Sequence, residues 1–189
     1  MRPEANAPGG DRTITIPVRL DSRTFRRFAI FDAFVVKKHW RGPALFSALL
    51  LAFAVLALLL RKAQSGLIAA VLLAVGLGLP IIYIGVFLSQ VNMQALRNRL
   101  TPPRLVYTVT LNSTGISVRN QQKPEETLTR SWQELYRAYR RRKCVYLYAA
   151  ADRAFLLPGG QADVPDAALW DYLAVHLGAG RASSGFGRK

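Results

Sequence analysis

The sequence predicts a membrane α+β protein: a two-helix transmembrane hairpin followed by a small antiparallel β domain closed by a C-terminal helix. Three observations predict it. Two charge-free apolar runs, 44–60 and 63–88, stand on either side of one Arg61-Lys62 pair. After Pro103 the chain turns to short β-branched and aromatic runs separated by turn residues. That region ends in an apolar segment with Asp163 and Pro165 before it and Gly178 after it.

The hairpin follows from length and composition. A bilayer core about 30 Å thick needs about 17–25 apolar residues of helix. Residues 44–60 reach the lower end of that range, and 66–88 lie near its middle. The core helix of a soluble protein is seldom apolar on every side for so long, and hardly ever twice in succession. A secretory signal has its apolar stretch near the start and a small-residue cleavage site after it. Here polar and amphipathic residues come first and Arg61-Lys62 follows directly, so both helices are expected in the mature protein.

Orientation follows from the positive-inside rule. Arg26, Arg27, Lys37, Lys38 and Arg41 precede the first helix, and Arg97, Arg99 and Arg104 follow the second. The connecting loop holds only Arg61 and Lys62, which can snorkel to the interface. The expected topology is multi-pass in the cytoplasmic (inner) membrane, with both termini cytoplasmic. No Asp, Glu, Lys, Arg or His lies inside either span, which argues against a transporter or pump. Gly66, Ala70, Ala74 and Gly78 recur every four residues on the second helix, as Ala44, Ala48 and Ala52 do on the first. Small residues at this spacing let helix backbones approach closely. The partner is either the other helix of the hairpin or a second copy of the chain. Pro80 removes one backbone hydrogen bond from the second helix.

The net charge of +15 falls outside the spans. Anionic cytoplasmic lipids attract juxtamembrane Lys and Arg by about 1 kcal/mol each. The lipid bilayer is therefore the expected partner of the basic segments, and nucleic acid is disfavoured. The single Cys144 rules out an internal disulfide framework and a cysteine-rich metal site.

Each element has a local reason. Residues 1–12, rich in Pro, Gly and Ala, read as a disordered N-terminus. Residues 13–43 read as a strand (13–20, with Pro17 marking an edge) and an amphipathic juxtamembrane helix. Asp21 or Ser22 caps that helix, which is expected to run toward Trp40. Its Phe25, Phe28, Phe31 and Val35 share one arc opposite Arg26, Arg27, Lys37 and Lys38, although Asp32 falls among the apolar residues. Such a helix lies in the membrane interface or packs on the cytoplasmic domain. Residues 89–103 read as a helical linker ended by Pro102-Pro103. The cytoplasmic β domain spans 104–178, with strands expected over 105–111, 116–119, 126–132, 136–140, 144–149 and 153–157, then the closing helix. At this size it gains from recruiting strand 13–20 across the hairpin. Residues 179–189 read as a disordered Gly/Ser/Arg tail.

This layout resembles the YcxB-like family of small bacterial membrane proteins. The resemblance rests on the strand and aromatic helix before the hairpin and on a series of short motifs. They are Tyr107-Thr-Val-Thr-Leu-Asn-Ser-Thr-Gly115-Ile-Ser, Thr129-Arg-Ser-Trp132-Gln-Glu-Leu-Tyr136, Val145-Tyr-Leu-Tyr148 and Ala154-Phe-Leu-Leu-Pro158. It implies a bacterial pleckstrin-homology-like domain: a strongly bent antiparallel sheet closed by a C-terminal helix. The family pattern has a basic residue after the strand-ending Pro, where this chain has Gly159.

No catalytic constellation, cofactor or metal motif emerges. His39 stands among lysines at the membrane edge and His176 on the last helix. Gly159-Gly160 lacks the following Lys-Ser/Thr of a phosphate loop, and Glu125-Glu126 form no acid/base pair with a partner. The remaining signal is Arg137 with Arg140-Arg141-Arg142-Lys143, at the junction of two predicted strands. Such a cluster holds a phosphate or lipid headgroup, or it is a solvated hairpin tip. The expected function is that of a non-enzymatic binding or scaffold module at the membrane. The alternative is a structural or regulatory subunit of a larger membrane complex, docked through the small-residue stripes to a membrane protein partner or to a second copy.

Overall fold

A strict alternation of buried and exposed residues opens the fold. Strand β1 (Ile14–Leu20) turns Ile14, Ile16, Val18 and Leu20 inward and the residues between them outward. This is the period-two pattern of a sheet with one face on a core. The computed structural model describes residues 13–60, 64–123, 125–178 and 180–184. The expected disordered start (1–12) and the Arg61-Lys62 loop lie outside the described residues. The chain divides into two compact units, one made of residues up to Thr24 and from Thr101 onward, the other of Phe25–Leu100.

In the first unit β1 pairs antiparallel with β2 (Arg104–Leu111), Ile14 opposite Leu111 and Val18 opposite Tyr107. The strand before the helices thus joins the domain after them. β3 (Gly115–Asn120) and β4 (Thr127–Ser131) complete a four-stranded sheet in the order β1-β2-β3-β4. The β2–β3 turn is an Asx turn: Asn112 Oδ1 accepts from the amides of Thr114 (3.1 Å) and Gly115 (2.9 Å). Gly115 is required there, because a Cβ would collide with the Arg130 carbonyl on β4.

A second sheet holds β5 (Arg137–Arg141), β6 (Cys144–Tyr148), β7 (Ala154–Pro158) and β8 (Ala182–Ser184), in the order β7-β6-β5-β8. All five residues of β6 are buried. Helix α4 (Asp166–Leu177) lies against β5 and β8 and buries Leu169, Trp170, Leu173 and Leu177. Gly178, at φ 78°, ends it in a conformation that glycine adopts without cost. Pro165 stands immediately before the helix, and Asp163 bonds to β1 instead of capping it.

The two sheets meet at one corner, where side chains stand in for a missing strand. On the free edge of β1 the outward backbone groups belong to Thr15, Pro17 and Arg19. Thr15 N–H donates to Asp163 Oδ2 (3.0 Å), and Asp163 N–H returns a bond to Thr15 O (3.3 Å). Arg19 N–H donates to Gln161 Oε1 (2.7 Å), and Gln161 Nε2 donates to Arg19 O (3.0 Å). Pro17 has no N–H to satisfy, which is why proline is tolerated there. Tyr107 closes the same corner from β2: its hydroxyl donates to Leu156 O (3.1 Å) and accepts from Leu156 N–H (2.8 Å). Burial pushes this phenol's pKa up, so it keeps its proton.

The tail departs from expectation. Residues 179–189 read as disordered, yet Ala182–Ser184 form β8, parallel to β5. Arg181 is the reason: Nε donates to Leu177 O at the end of α4 (2.9 Å), and a second nitrogen reaches the carbonyls of Trp132, Gln133 and Leu135 (3.1–3.2 Å). One guanidinium thereby satisfies helix-terminal and turn carbonyls that composition does not reveal. Residues 185–189 lie outside the described residues.

In the second unit α1 (Ser22–Phe31, beginning in the first unit) does not run on to Trp40. It passes into a π-helical turn, Asp32–Val36, in which Lys37 N–H donates to Asp32 O (2.8 Å). The wider turn brings Lys37 Nζ to 2.9 Å from Asp32 Oδ2 and neutralises the carboxylate that the helical wheel left on the apolar arc. Trp40 donates its indole N–H to Phe34 O (3.1 Å), and Phe34 packs edge-on against Phe87 (5.4 Å).

Helices α2 (Arg41–Leu59) and α3 (Ser65–Arg97) are long and apolar enough to cross a membrane. The span expected over 66–88 and the linker over 89–103 are one continuous helix as far as Arg97, and residues 98–103 are not helical. Leu45, Leu59, Leu67 and Ile81 are each more than 70% exposed, a surface that suits lipid rather than water. The predicted stripe does not form the contact between the two helices. Gly66, Ala70 and Ala74 are exposed and Gly78 has open space around it, whereas Ala54, Ala69 and Gly76 are buried. A Cβ on Gly76 would meet Leu50 at 3.3 Å. A four-residue spacing drifts around a helix of 3.6 residues per turn, while a packing seam follows spacings of three and four in alternation.

Removing the Tyr107 hydroxyl (Tyr107→Phe) leaves both Leu156 backbone groups without their partner, at a cost of about 1–3 kcal/mol. Thermal unfolding of the full chain in detergent, followed by circular dichroism, should show a lowered Tm with the same folded spectrum. An unchanged Tm would mean that the corner does not hold the sheets together.

Candidate functional site

The β5–β6 hairpin carries the densest charge of the chain, and strand geometry sorts it. Successive side chains on a strand point to opposite faces. Ala138 is buried, so Arg140 shares the inner side of β5, and its guanidinium lies over the Trp170 ring of α4 at 5.9 Å. Arg141 is half-buried at the end of β5, and Arg142 and Lys143 form the exposed turn. Arg137 starts β5 opposite Tyr148, at the far end of the strand from the turn. Its guanidinium lies over the Tyr136 ring at 5.4 Å and donates a hydrogen bond to Tyr139. The five predicted cations are therefore not one group: Arg137 is apart, and Arg140 is committed to an aromatic ring.

The turn lines a cleft of about 640 Å³ in the β unit. Opposite Arg142 and Lys143 stand Arg19, at the end of β1, and Gln161, on the loop that returns from β7 along β1. Asp21 and Asp166 also line it, but both carboxylates are tied to backbone donors. Asp166 accepts from Gly160 N–H (2.8 Å) and Asp21 from Thr24 N–H (2.8 Å). Burial tends to raise the Asp21 pKa, but hydrogen bonds from the Thr24 hydroxyl and amide outweigh it and hold the carboxyl below its usual value. The ion pairs among the described residues are Lys37–Asp32, Lys123–Glu126 and Arg130–Glu134, and none uses Arg19, Arg142 or Lys143. Thr24, Pro103 and the 158–160 turn also line the wall, which lies wholly within the β unit.

The chemistry here is that of anion recognition. Two arginines and a lysine line one concavity, and a guanidinium pairs with a phosphate through two parallel hydrogen bonds. Cys144, at the base of the turn, is buried, and burial pushes its thiol up to about 12. His176 is stacked with Trp132 (4.8 Å) and Tyr172 (4.2 Å), and its Nδ1 pairs with Tyr172 O, while His39 belongs to the helical unit. Among the described residues no group of His, Cys, Asp and Glu could hold a metal ion.

Arg19 and Gln161 were not singled out in the sequence. The alternation over 13–20 does put Arg19 outward. Only the pairing of β1 with β2 and the return of the β7–α4 loop along β1 bring it to the basic turn.

The thiol gives a direct check. Its folded pKa stands above the ordinary value of 9.0, so its contribution to stability is complete below that pH and is lost as pH rises toward about 12. At pH 8 the native chain should resist maleimide labelling and react fully once denatured. Fast labelling of the native protein would show that the base of the turn is open.

Scans against family models, curated proteins and solved structures find no match for this chain.

Proposed function

We propose that this chain is a two-pass protein of the cytoplasmic membrane, with both termini cytoplasmic. Its β domain would serve as a non-enzymatic binding or scaffold module that contacts anionic lipid. We further propose that the domain is pleckstrin-homology-like, of the YcxB-like kind. A four-stranded and a second, mostly antiparallel sheet closed by a C-terminal helix support that assignment. The observation that carries the functional reading is the position of the basic turn. Arg142 and Lys143 share a cleft with Thr24, the last residue of the β unit before the helical unit, and Pro103, near its resumption at Thr101. Basic side chains near an anionic leaflet contribute about 1 kcal/mol each.

Hydrogen exchange on the full chain in nanodiscs tests this reading. Anionic phosphatidylglycerol should protect the β5–β6 turn relative to phosphatidylcholine, and high salt should reverse the effect. Replacing Arg140, Arg141, Arg142 and Lys143 together with Gln should abolish it. Equal exchange in the two lipids would refute the lipid contact.

A second reading, a subunit of a larger membrane complex, is favoured by the exposure of Gly66, Ala70 and Ala74 outside the α2–α3 contact. Ala70→Leu with Ala74→Leu should then release co-purifying membrane proteins, or convert a dimer to a monomer, without lowering Tm. Unaltered composition and mass of the solubilised particle would count against it.

A further inference from the structure

We propose that the cleft between the end of β1 and the β5–β6 turn is a binding site for a phosphate monoester group, held by Arg19, Arg142 and Lys143. The proposal rests on the reading of a membrane-tethered module and gives that module a defined pocket and ligand chemistry. Three observations carry it. First, the cations come from positions 19, 142 and 143, far apart in sequence, and the fold brings them to one concavity of about 640 Å³. That volume falls within the ligand-pocket range of about 300–1,000 Å³. A basic turn that served only solubility would need no concave wall and no cation from another strand. Second, none of the three side chains enters an ion pair among the described residues, although two carboxylates line the same cleft. Those carboxylates are turned to Gly160 N–H and Thr24 N–H instead. Third, Arg19 is fixed at its backbone on both sides, by Gln161 Oε1 at 2.7 Å and Gln161 Nε2 at 3.0 Å. The backbone from which the exposed Arg19 side chain springs is thus set beside the loop that forms the cleft, so the strand need not be ordered when a ligand arrives.

The charge balance selects the ligand class. Three cations against two carboxylates leave the wall positive overall, so it favours an anion, and a doubly charged one gains more from it than a singly charged one. A phosphate monoester carries about −1.5 to −2 at neutral pH and three acceptor oxygens, which suit two forks and an ammonium. The same chemistry is offered by a lipid headgroup such as phosphatidic acid and by a soluble phosphate ester.

The test titrates the detergent-solubilised full chain with glycerol 3-phosphate and with phosphatidic acid, read by native mass spectrometry, with phosphatidylcholine as the phosphodiester control. Wild type and Arg137→Gln should bind phosphatidic acid alike. The variant carrying Arg19→Gln, Arg142→Gln and Lys143→Gln should bind it about a hundredfold more weakly, as expected for three near-surface cations. Should that variant unfold, Arg142→Gln alone, on an exposed turn, should lose about five- to tenfold. Phosphatidic acid bound without glycerol 3-phosphate assigns the site to a lipid, and binding of both assigns it to monoesters generally. Equal affinity of the triple variant and wild type overturns the proposal, as does equal loss in Arg137→Gln. Protection of the β5–β6 turn by anionic nanodiscs, with no monoester binding by wild type, overturns the cleft and leaves the surface contact standing. Loss of both overturns the lipid reading as well.

Discussion

The β unit depends on one pairing, that of β1 with β2 across an insertion of two long helices. β1 contributes Ile14, Ile16, Val18 and Leu20 to the core, all but buried. Burial of each such side chain is worth about 1.5–3 kcal/mol. Without them the β2–β4 sheet would be left with an open core face. The free edge of β1 is also the surface on which Gln161 and Asp163 settle, so the path from β7 into α4 is set by the same strand. Closing a long loop costs entropy that grows only with the logarithm of its length. Here the loop is not slack, because α2 and α3 pack against each other along Ala54, Ala69 and Gly76 and bring the insertion's ends back together. A helical hairpin is therefore an inexpensive insertion between paired strands.

Much of this was legible in residue patterns, for physical reasons that can be named. The alternation over 13–20, the Asn-Ser-Thr-Gly turn at 112–115 and the uniform apolarity of the two helices each report a local preference that tertiary structure keeps. What escaped depended on contacts between distant residues. Composition marked the tail as disordered, and a single arginine that finds four carbonyls orders residues 182–184. The wheel at 100° per residue puts Asp32 among apolar residues, where its side chain does lie mostly buried; what the wheel cannot show is the π-turn that pairs it with Lys37 five residues on. The stripe of small residues has period four, whereas the contact between the two helices uses Ala69 and Gly76, seven residues apart.

The site was half legible. A run of four basic residues between two strands announces a charged hairpin tip, and Arg142 and Lys143 occupy it. The run does not say which members share a surface. Strand alternation sends Arg140 inward to Trp170, and three residues of extended chain, about 10 Å, separate Arg137 from it. Nor does it name a partner from elsewhere in the chain. Arg19 becomes one only through a strand pairing and a loop path, both long-range facts.

The cleft's modest net charge bears on how a tethered module would work. A free domain with one net positive charge in its pocket would hold a headgroup weakly. A domain fixed beside its ligand faces an effective concentration in the millimolar range for a short connection, so weak intrinsic affinity is enough for occupancy. The two carboxylates in the wall, each bonded to a backbone amide, lower that intrinsic affinity further, which makes tethering the larger part of the binding. On the proposed reading the apolar helices would supply concentration and the basic residues attraction, so neither a deep pocket nor a high net charge is required of the cleft.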